Sequence, residues 1–136
     1  MKSYKDKSAE HLNETDFATH ANWSVTGGFD DTGGNAAYSH DGAGGTLTQI
    51  ESNRVLKGES NSVYQFTYTV SNISGSPTAE ITTWFADSLT ALNLTTATTR
   101  TTYFKSANDP QSFVINVTAS VPGETFTLDD VSLKQT

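Results

Sequence analysis

One aromatic side chain on a polar strand face is the strongest functional signal in the sequence. Trp84 alternates in step with Glu80 and Thr82. Ile81 and Phe85 have the opposite parity. Because successive side chains of a strand point to opposite faces, this spacing predicts that Trp84 is exposed and that the two apolar residues are buried. An exposed ring with polar neighbours suits sugar binding, since CH groups pack on the ring and carboxylates or amides bond the hydroxyls.

Four further residues are expected to share this face and to supply hydrogen-bonding groups. They are Gln65, Thr67, Tyr103 and Asn116. With Trp84 and Glu80 they form the candidate carbohydrate site. The alternative is that Trp84 packs beneath a loop or against a neighbouring subunit, and its sequence context is compatible with both.

The titratable residues do not form a catalytic arrangement in the sequence. Nucleophilic catalysis needs a Ser or Thr beside a histidine that a third group orients. His11, His20 and His40 stand among Ser, Thr and Ala without a nucleophile-elbow motif, so we expect them on the surface. The pairs Asp30–Asp31 and Asp129–Asp130 are adjacent in sequence, which does not suit two carboxyls facing each other across a substrate. We therefore expect no enzyme and no catalytic residue.

The elements that must position these residues are predicted to be strands. Apolar and polar residues alternate in Val63–Val70, Thr78–Ala86 and Ser112–Thr118, as in half-buried antiparallel strands. Weaker candidates are Trp23–Thr26, Ala36–His40, Thr46–Glu51, Thr101–Lys105 and Glu124–Lys134. Turns rich in Gly, Asn and Pro separate them. The 136 residues are the length of one domain, and the pattern predicts an all-β, two-sheet antiparallel sandwich.

Strand parity also predicts the core and one irregularity. The expected core residues are Tyr64, Phe66, Tyr68, Ile81, Phe85, Phe113, Ile115, Phe126, Leu128 and Leu133, with Trp23 beside a turn. In the last candidate strand, Phe126 and Leu128 share one parity. Val131 and Leu133 share the other. One extra residue at Asp129–Asp130 would restore a single apolar face, so we expect a β-bulge there.

Composition excludes several classes of partner. The formal net charge is −7, and nucleic-acid binding needs a basic surface. No run approaches the roughly 18–20 apolar residues of a membrane span, so no membrane partner is expected. The chain contains no cysteine, which excludes disulfides and thiolate metal sites. Its opening residues lack the apolar stretch of a signal peptide.

An ordered series of motifs resembles carbohydrate-binding-module-like jelly rolls. The motifs are Leu12–Thr19, Asn22–Val25, Ala36–His40, Gly45–Gln49, the turn Leu56–Glu59 followed by Ser62–Ser71, and the closing Phe126–Leu133. The likeness implies a jelly-roll β-sandwich over residues 10–136, preceded by an extended N-terminal arm, residues 1–9. This fold occurs in xylan- and glucan-binding modules and in phage tail and virion proteins. The run from Asp16–Phe17 through Trp23 to Gly45–Gln49 is most similar to the phage versions.

The resemblance also bears on metal binding. Sugar-binding members commonly hold a structural calcium ion between the opening segment and the closing Asp, which implies Asp16 and Asp130 as ligands here. Ala18 stands where a carboxylate would often be expected. The other interpretation is that Asp129 and Asp130 bond to backbone at the bulge, and the sequence leaves both open. No other cofactor is expected.

Two functions from different classes follow. The favoured hypothesis is a non-catalytic virion structural protein, either a phage capsid decoration (cement) protein or a tail-adhesin subunit, made in the bacterial host cytoplasm and located in the virion. Its partners would be capsid or other virion proteins and further copies of itself, contacted by an arm that carries Lys2, Tyr4, Lys5 and Lys7. The alternative is a carbohydrate-binding module that binds polysaccharide, such as that of a cell surface, through the Trp84 face.

Overall fold

In the computed structural model, the described residues form ten strands in two antiparallel sheets. The structure describes residues 9–19, 21–42, 44–50, 53, 55, 59–82, 90–107 and 112–136. The strands are β1 (Ser24–Gly27), β2 (Phe29–Asp30), β3 (Ala36–Ser39), β4 (Gly45–Gln49), β5 (Val63–Ser74), β6 (Thr78–Ile81), β7 (Thr90–Ala91), β8 (Thr99–Lys105), β9 (Phe113–Ala119) and β10 (Thr125–Gln135). We call β1-β4-β9-β6-β7 the front sheet and β2-β3-β10-β5-β8 the back sheet. The predicted two-sheet antiparallel sandwich is confirmed.

The core lies between the sheets and follows the predicted parity. Every described residue of the predicted core is at most 5% exposed. In β5 the buried residues alternate with half-buried Gln65, Thr67 and Thr69 over three successive pairs. Phe66 joins the sheets, because its ring lies 5.3 Å from Tyr68 on its own strand and 5.2 Å from Phe113 on β9. Phe85 lies outside the described residues.

The predicted bulge in the last strand is confirmed. The register of β10 against β5 shifts between Asp129 and Ser132. Asp130 takes a positive φ of 47°, which Asp tolerates better than most residues. Its amide donates to Asp129 Oδ1 at 2.9 Å. The extra residue returns Val131, which is 1% exposed, to the buried face.

The opening segment, residues 10–19, is tied to the last strand by backbone bonds. His11 N donates to Leu133 O at 2.9 Å, and Val131 N donates to Thr15 O at 3.0 Å. Glu10 Oε2 accepts from Leu133 N at 2.6 Å, so a carboxylate caps an amide of β10. These bonds hold a segment without regular structure against the end of the chain.

His11 is wrongly predicted as a surface residue. Its side chain is 0% exposed and meets Tyr64 edge to face, with ring centroids 5.1 Å apart. The Tyr64 hydroxyl lies 3.3 Å from His11 Nε2, and His11 Nδ1 lies 3.3 Å from Ala9 O. The prediction relied on the Ser and Ala residues near His11 in sequence. Those neighbours carry no information about Tyr64, which is 53 residues away.

Two glycines take the chain from the front sheet to the back sheet. Gly27 ends β1 with φ of 61°, and Gly28 precedes β2. Gly28 N donates to Gly44 O at 2.9 Å, and Gly28 O accepts from Ser39 N at 3.0 Å. A Cβ on Gly28 would lie 2.1 Å from Ser39 O, so this approach of two backbones requires glycine.

Candidate functional site

The six candidate sugar-binding residues do not share one face. Glu80 on β6 and Asn116 on β9 are neighbours in the front sheet. Gln65 and Thr67 lie on β5 and Tyr103 on β8, in the back sheet. Since each sheet turns its other side to the core, the two groups occupy opposite outer faces. The prediction of a single face is therefore wrong. Alternation along a strand shows which residues face the core and which face outward, but it does not show which sheet the strand joins.

The outer face of the front sheet carries a straight row of polar groups. Strand pairing aligns Thr26 with Thr46, Thr46 with Asn116, and Asn116 with Glu80. Three interstrand spacings separate the ends of this row, about 14 Å in all. Thr26 and Thr46 are joined through their hydroxyls at 2.7 Å. The sequence reasoning missed both threonines, although each has the outward parity of its strand.

Glu80 and Asn116 occupy one end of this row, on the neighbouring strands β6 and β9. Both side chains are half-buried, on strands whose alternate residues Ala79, Ile81 and Ile115 are in the core. Neither side chain makes a hydrogen bond with another of the described residues. A carboxylate acceptor and an amide with both donors and an acceptor are thus available side by side to an incoming ligand.

The outer face of the back sheet is built differently. Its threonines bond one another across β5 and β8, with Thr67 Oγ1 3.2 Å from Thr101 Oγ1 and Thr69 Oγ1 2.9 Å from Thr99 Oγ1. Gln65 faces Tyr103, which is 60% exposed. These threonine pairs stabilise the pairing of β5 with β8.

Trp84 lies outside the described residues, as do Lys2, Tyr4, Lys5 and Lys7 of the predicted arm. The described part of β6 keeps the predicted alternation, since Ala79 and Ile81 are buried whereas Glu80 and Thr82 are half-buried. Exposure of Trp84 on the Glu80 side remains a prediction of the sequence. The two other aromatic assignments can be checked: Trp23 is 5% exposed and in the core, whereas Tyr103 is exposed.

The acidic residues near the bulge do not make a metal centre in the described part of the chain. There, no group of three or more His, Cys, Asp or Glu side chains is placed to hold a metal ion. Asp16 is exposed and its Oδ1 accepts from Ala18 N at 3.1 Å. Burial raises the pKa of Asp129. The bond from Asp130 N opposes this shift, and the charges of Asp130 and Asp16 add to it. The bond from Asp130 N to Asp129 Oδ1 supports the backbone-bonding interpretation for Asp129, and calcium binding by Asp16 and Asp130 stays a prediction of the resemblance.

In the part of the chain that the structure describes, no helix is long and apolar enough to cross a bilayer.

Several solved structures share the fold at low sequence identity. The second N-terminal cellulose-binding domain of Cellulomonas fimi β-1,4-glucanase C is 21% identical, with a TM-score of 0.61 over 96% of this chain and 97% of that domain. TmCBM61, solved with β-1,4-galactotriose, has a TM-score of 0.64 at 12% identity over 95% of this chain and 100% of its own. Neither family models nor curated proteins give a match to the sequence.

A phage protein has the fold as well. The enzymatically active domain of bacteriophage CBA120 tailspike protein 4 is 13% identical, with a TM-score of 0.60 over 93% of this chain. This chain spans only 21% of that domain. The protein therefore has a carbohydrate-binding-module-like jelly roll, as its motifs predicted. At these identities the likeness establishes the fold, and the ligand must be argued from the chain's own residues.

Proposed function

We propose that this protein is a non-catalytic carbohydrate-binding module that binds a polysaccharide across the outer face of its front sheet. The observation that carries the proposal is the Glu80–Asn116 pair, a carboxylate and an amide side by side with no protein partner among the described residues. Glycan hydroxyls need both donors and acceptors, and this pair supplies both. The fold shared with cellulose-binding and galactotriose-bound modules supports the same class of ligand.

The front face is favoured over the back face for two reasons. It places a carboxylate directly beside an amide, whereas on the back face the amide of Gln65 lies opposite Tyr103 and the threonines bond one another. Trp84 also follows Glu80 and Thr82 with their parity, so the sequence predicts a stacking ring beside the pair. Tyr103 gives the back face an exposed ring of its own, which makes it the natural control.

Depletion assays with insoluble polysaccharides test the proposal. The wild-type protein is incubated with cellulose and with insoluble xylan, and the unbound fraction is measured. Trp84→Ala should reduce binding at least about tenfold, since loss of a stacked ring costs on the order of 1–3 kcal/mol. Tyr103→Ala on the opposite face should bind as the wild type does. Equal loss in both variants, or loss in Tyr103→Ala alone, would assign binding to another surface.

A virion role is the second candidate, and the fold of the phage tailspike domain favours it. In this role the module would be a capsid decoration or tail-adhesin subunit located in the virion, with virion proteins and copies of itself as partners. The two functions are compatible, because a tail adhesin that binds a cell-surface polysaccharide would use the same face. Residues 1–9, with Lys2, Lys5 and Lys7, would be the assembly arm.

Deletion of residues 1–9 tests the virion role. The truncated protein should melt at nearly the wild-type temperature, because it keeps Glu10, whose bonds hold the opening segment to β10, and loses the long contact of 3.3 Å between His11 Nδ1 and Ala9 O. It should fail to join particles that the full chain joins. Normal assembly of the truncated protein would contradict the arm, and absence of the full chain from particles would contradict the virion role.

A further inference from the structure

Two clefts adjoin at one end of the front sheet, where Thr78 and Thr118 lie two residues beyond Glu80 and Asn116 on the same strands and the same outer face. The first has a volume of about 510 Å³ and lies between the β5–β6 turn and the chain after β7. The second has a volume of about 270 Å³ and lies between the β3–β4 loop and the end of β9. Thr78 lines the first and Thr118 lines the second. Their hydroxyl oxygens are 2.7 Å apart, so a single hydrogen-bonded pair separates the two clefts.

The first cleft combines an apolar base with a fixed amide. Leu92 and Leu94 are 7% and 5% exposed and line it together with buried Pro77. Asn93 is exposed, and its Oδ1 accepts from Thr95 N at 3.1 Å and from Thr95 Oγ1 at 2.6 Å. These two bonds orient the amide. Its Nδ2 group makes no hydrogen bond with the described residues and is available as a donor.

The second cleft contains a chain of hydrogen-bonding groups. Ser120 Oγ lies 2.7 Å from His40 Nδ1 and 2.7 Å from the hydroxyl of Tyr38. Tyr38 is 1% exposed, so the chain runs from the core to the half-buried His40. Gly42 and Gly44 line the opposite side without side chains, which leaves the serine and the imidazole accessible at the cleft surface.

The lining defines the chemical class of ligand. Among the described lining residues of both clefts, His40 is the one titratable side chain. An anion would find no lysine or arginine there, and a cation would find no carboxylate. Hydroxyls, an amide and an imidazole above an apolar base instead fit a neutral, polyhydroxylated ligand. The first cleft alone has the volume typical of a small-molecule site.

We propose that the two clefts form one groove, centred on the Thr78–Thr118 pair, that binds a neutral oligosaccharide segment as a second site. This inference rests on the proposed carbohydrate-binding function for its class of ligand, and it names the loop-lined clefts beyond the Glu80–Asn116 pair at the end of the same sheet. Because the groove adjoins that pair, one long polysaccharide chain can occupy both, so the affinity for long chains should exceed the affinity for short oligosaccharides.

Chemical-shift mapping of the full ¹⁵N-labelled chain tests the groove. The protein is titrated with cellohexaose, xylohexaose and β-1,4-galactotriose, and backbone amide shifts are followed. We expect saturable shifts at Thr78, Asn93, Thr118 and Ser120 with at least one of these probes. Thr118→Val should weaken that saturation about threefold or more, as expected for one lost hydrogen bond. The matched control is Thr101→Val, which removes the same hydroxyl from the equivalent Thr67–Thr101 pair on the back sheet and should change nothing.

The outcomes separate the two proposals. Shifts at Glu80, Asn116, Thr78 or Thr118 without shifts at Asn93 and Ser120, which lie in the cleft-lining loops, would overturn the groove and leave the proposed function standing. Shifts at the groove alone would support the groove and overturn the front-face site. Shifts at neither place with any of the three probes would overturn both. An equal effect of Thr118→Val and Thr101→Val would overturn the groove, because it would show a general consequence of losing a threonine pair.

Discussion

At the scale of single residues, the chemistry depends on which polar groups the fold has already used. The polar side-chain atoms of three residues already bond to the backbone of the fold, namely those of Glu10, Glu124 and Gln49. Gln49, 0% exposed, exchanges two bonds with the backbone of Asn13 at 2.8 and 2.9 Å. Glu124 Oε1 accepts from Val121 N at 2.9 Å. Glu80 and Asn116, in contrast, make no hydrogen bond with the described residues, and this contrast underlies the proposed site.

Glu10 should be a stabilising residue of the opening segment. Its Oε2 accepts from Leu133 N at 2.6 Å and from Leu12 N at 3.3 Å. Glu10→Ala leaves both amides without this acceptor and should lower the free energy of unfolding by about 1–3 kcal/mol. Urea denaturation measures the change. Glu10→Gln keeps an acceptor oxygen and serves as the control, and equal losses in the two variants would contradict the capping role.

Asp129 should make stability depend on pH. Burial raises the pKa of its carboxyl in the folded protein, so the folded chain holds this proton more tightly than the unfolded chain. The protonated Asp129 carboxyl therefore contributes to the free energy of unfolding. This contribution is complete below the pKa of the carboxyl in the unfolded chain and is lost as pH rises through its pKa in the folded protein. Asp129→Asn should therefore raise stability at pH 7, by no more than about 1 kcal/mol at this partly exposed site, and give no gain near pH 3.

Thermal melts at both pH values measure the Asp129 effect. The control is Asp41→Asn, which removes an exposed carboxylate from the β3–β4 loop with the same change in net charge. The same gain at pH 7 and pH 3, or the same gain in the control, would show that burial of Asp129 is not the cause.

At the scale of strands and loops, the alternation of apolar and polar residues predicted where the strands lie and which of their residues face the core. The described residues of the three strongest candidates form β5, β6 and β9, and those of their residues that were predicted in the core are buried. The bulge at Asp129–Asp130 was predictable because the apolar residues change parity there, and one extra residue in the strand returns them to the same face. The opening segment was not predictable in this way. Its contacts with Tyr64 and Leu133 are long-range, and a buried histidine leaves no periodic trace.

The passage between the sheets should be sensitive to one methyl group. Gly28→Ala would bring Cβ to 2.1 Å from Ser39 O, and neither backbone can move without breaking the bonds that join β2 to β3. We expect a loss of about 1–3 kcal/mol in the free energy of unfolding. Gly33→Ala is the control, since its Cβ would meet only Asn35 Oδ1 at 4.0 Å. If the two variants melt together, the close approach at Gly28 is not required.

At the scale of the whole molecule, the site residues could be found but not assembled from the sequence. Glu80, Asn116, Gln65, Thr67 and Tyr103 all point outward, as their parity predicted. Their division between two faces depends on strand order, in which β9 pairs with β6 and β5 with β8. That order is set by the packing of the entire sandwich. The motifs were enough to predict the fold. Which site residues share a face could be known only from the strand order.

The central claim is that sugar binds the front face through Glu80 and Asn116. Isothermal titration calorimetry of Asn116→Ala against Gln65→Ala tests it most directly, with the oligosaccharide of whichever polysaccharide the wild type binds. Both residues are half-buried amide residues within a strand, and they lie on opposite outer faces. We predict that Asn116→Ala weakens binding about tenfold, while Gln65→Ala leaves the affinity unchanged. Weakened binding in Gln65→Ala with normal affinity in Asn116→Ala would contradict the account.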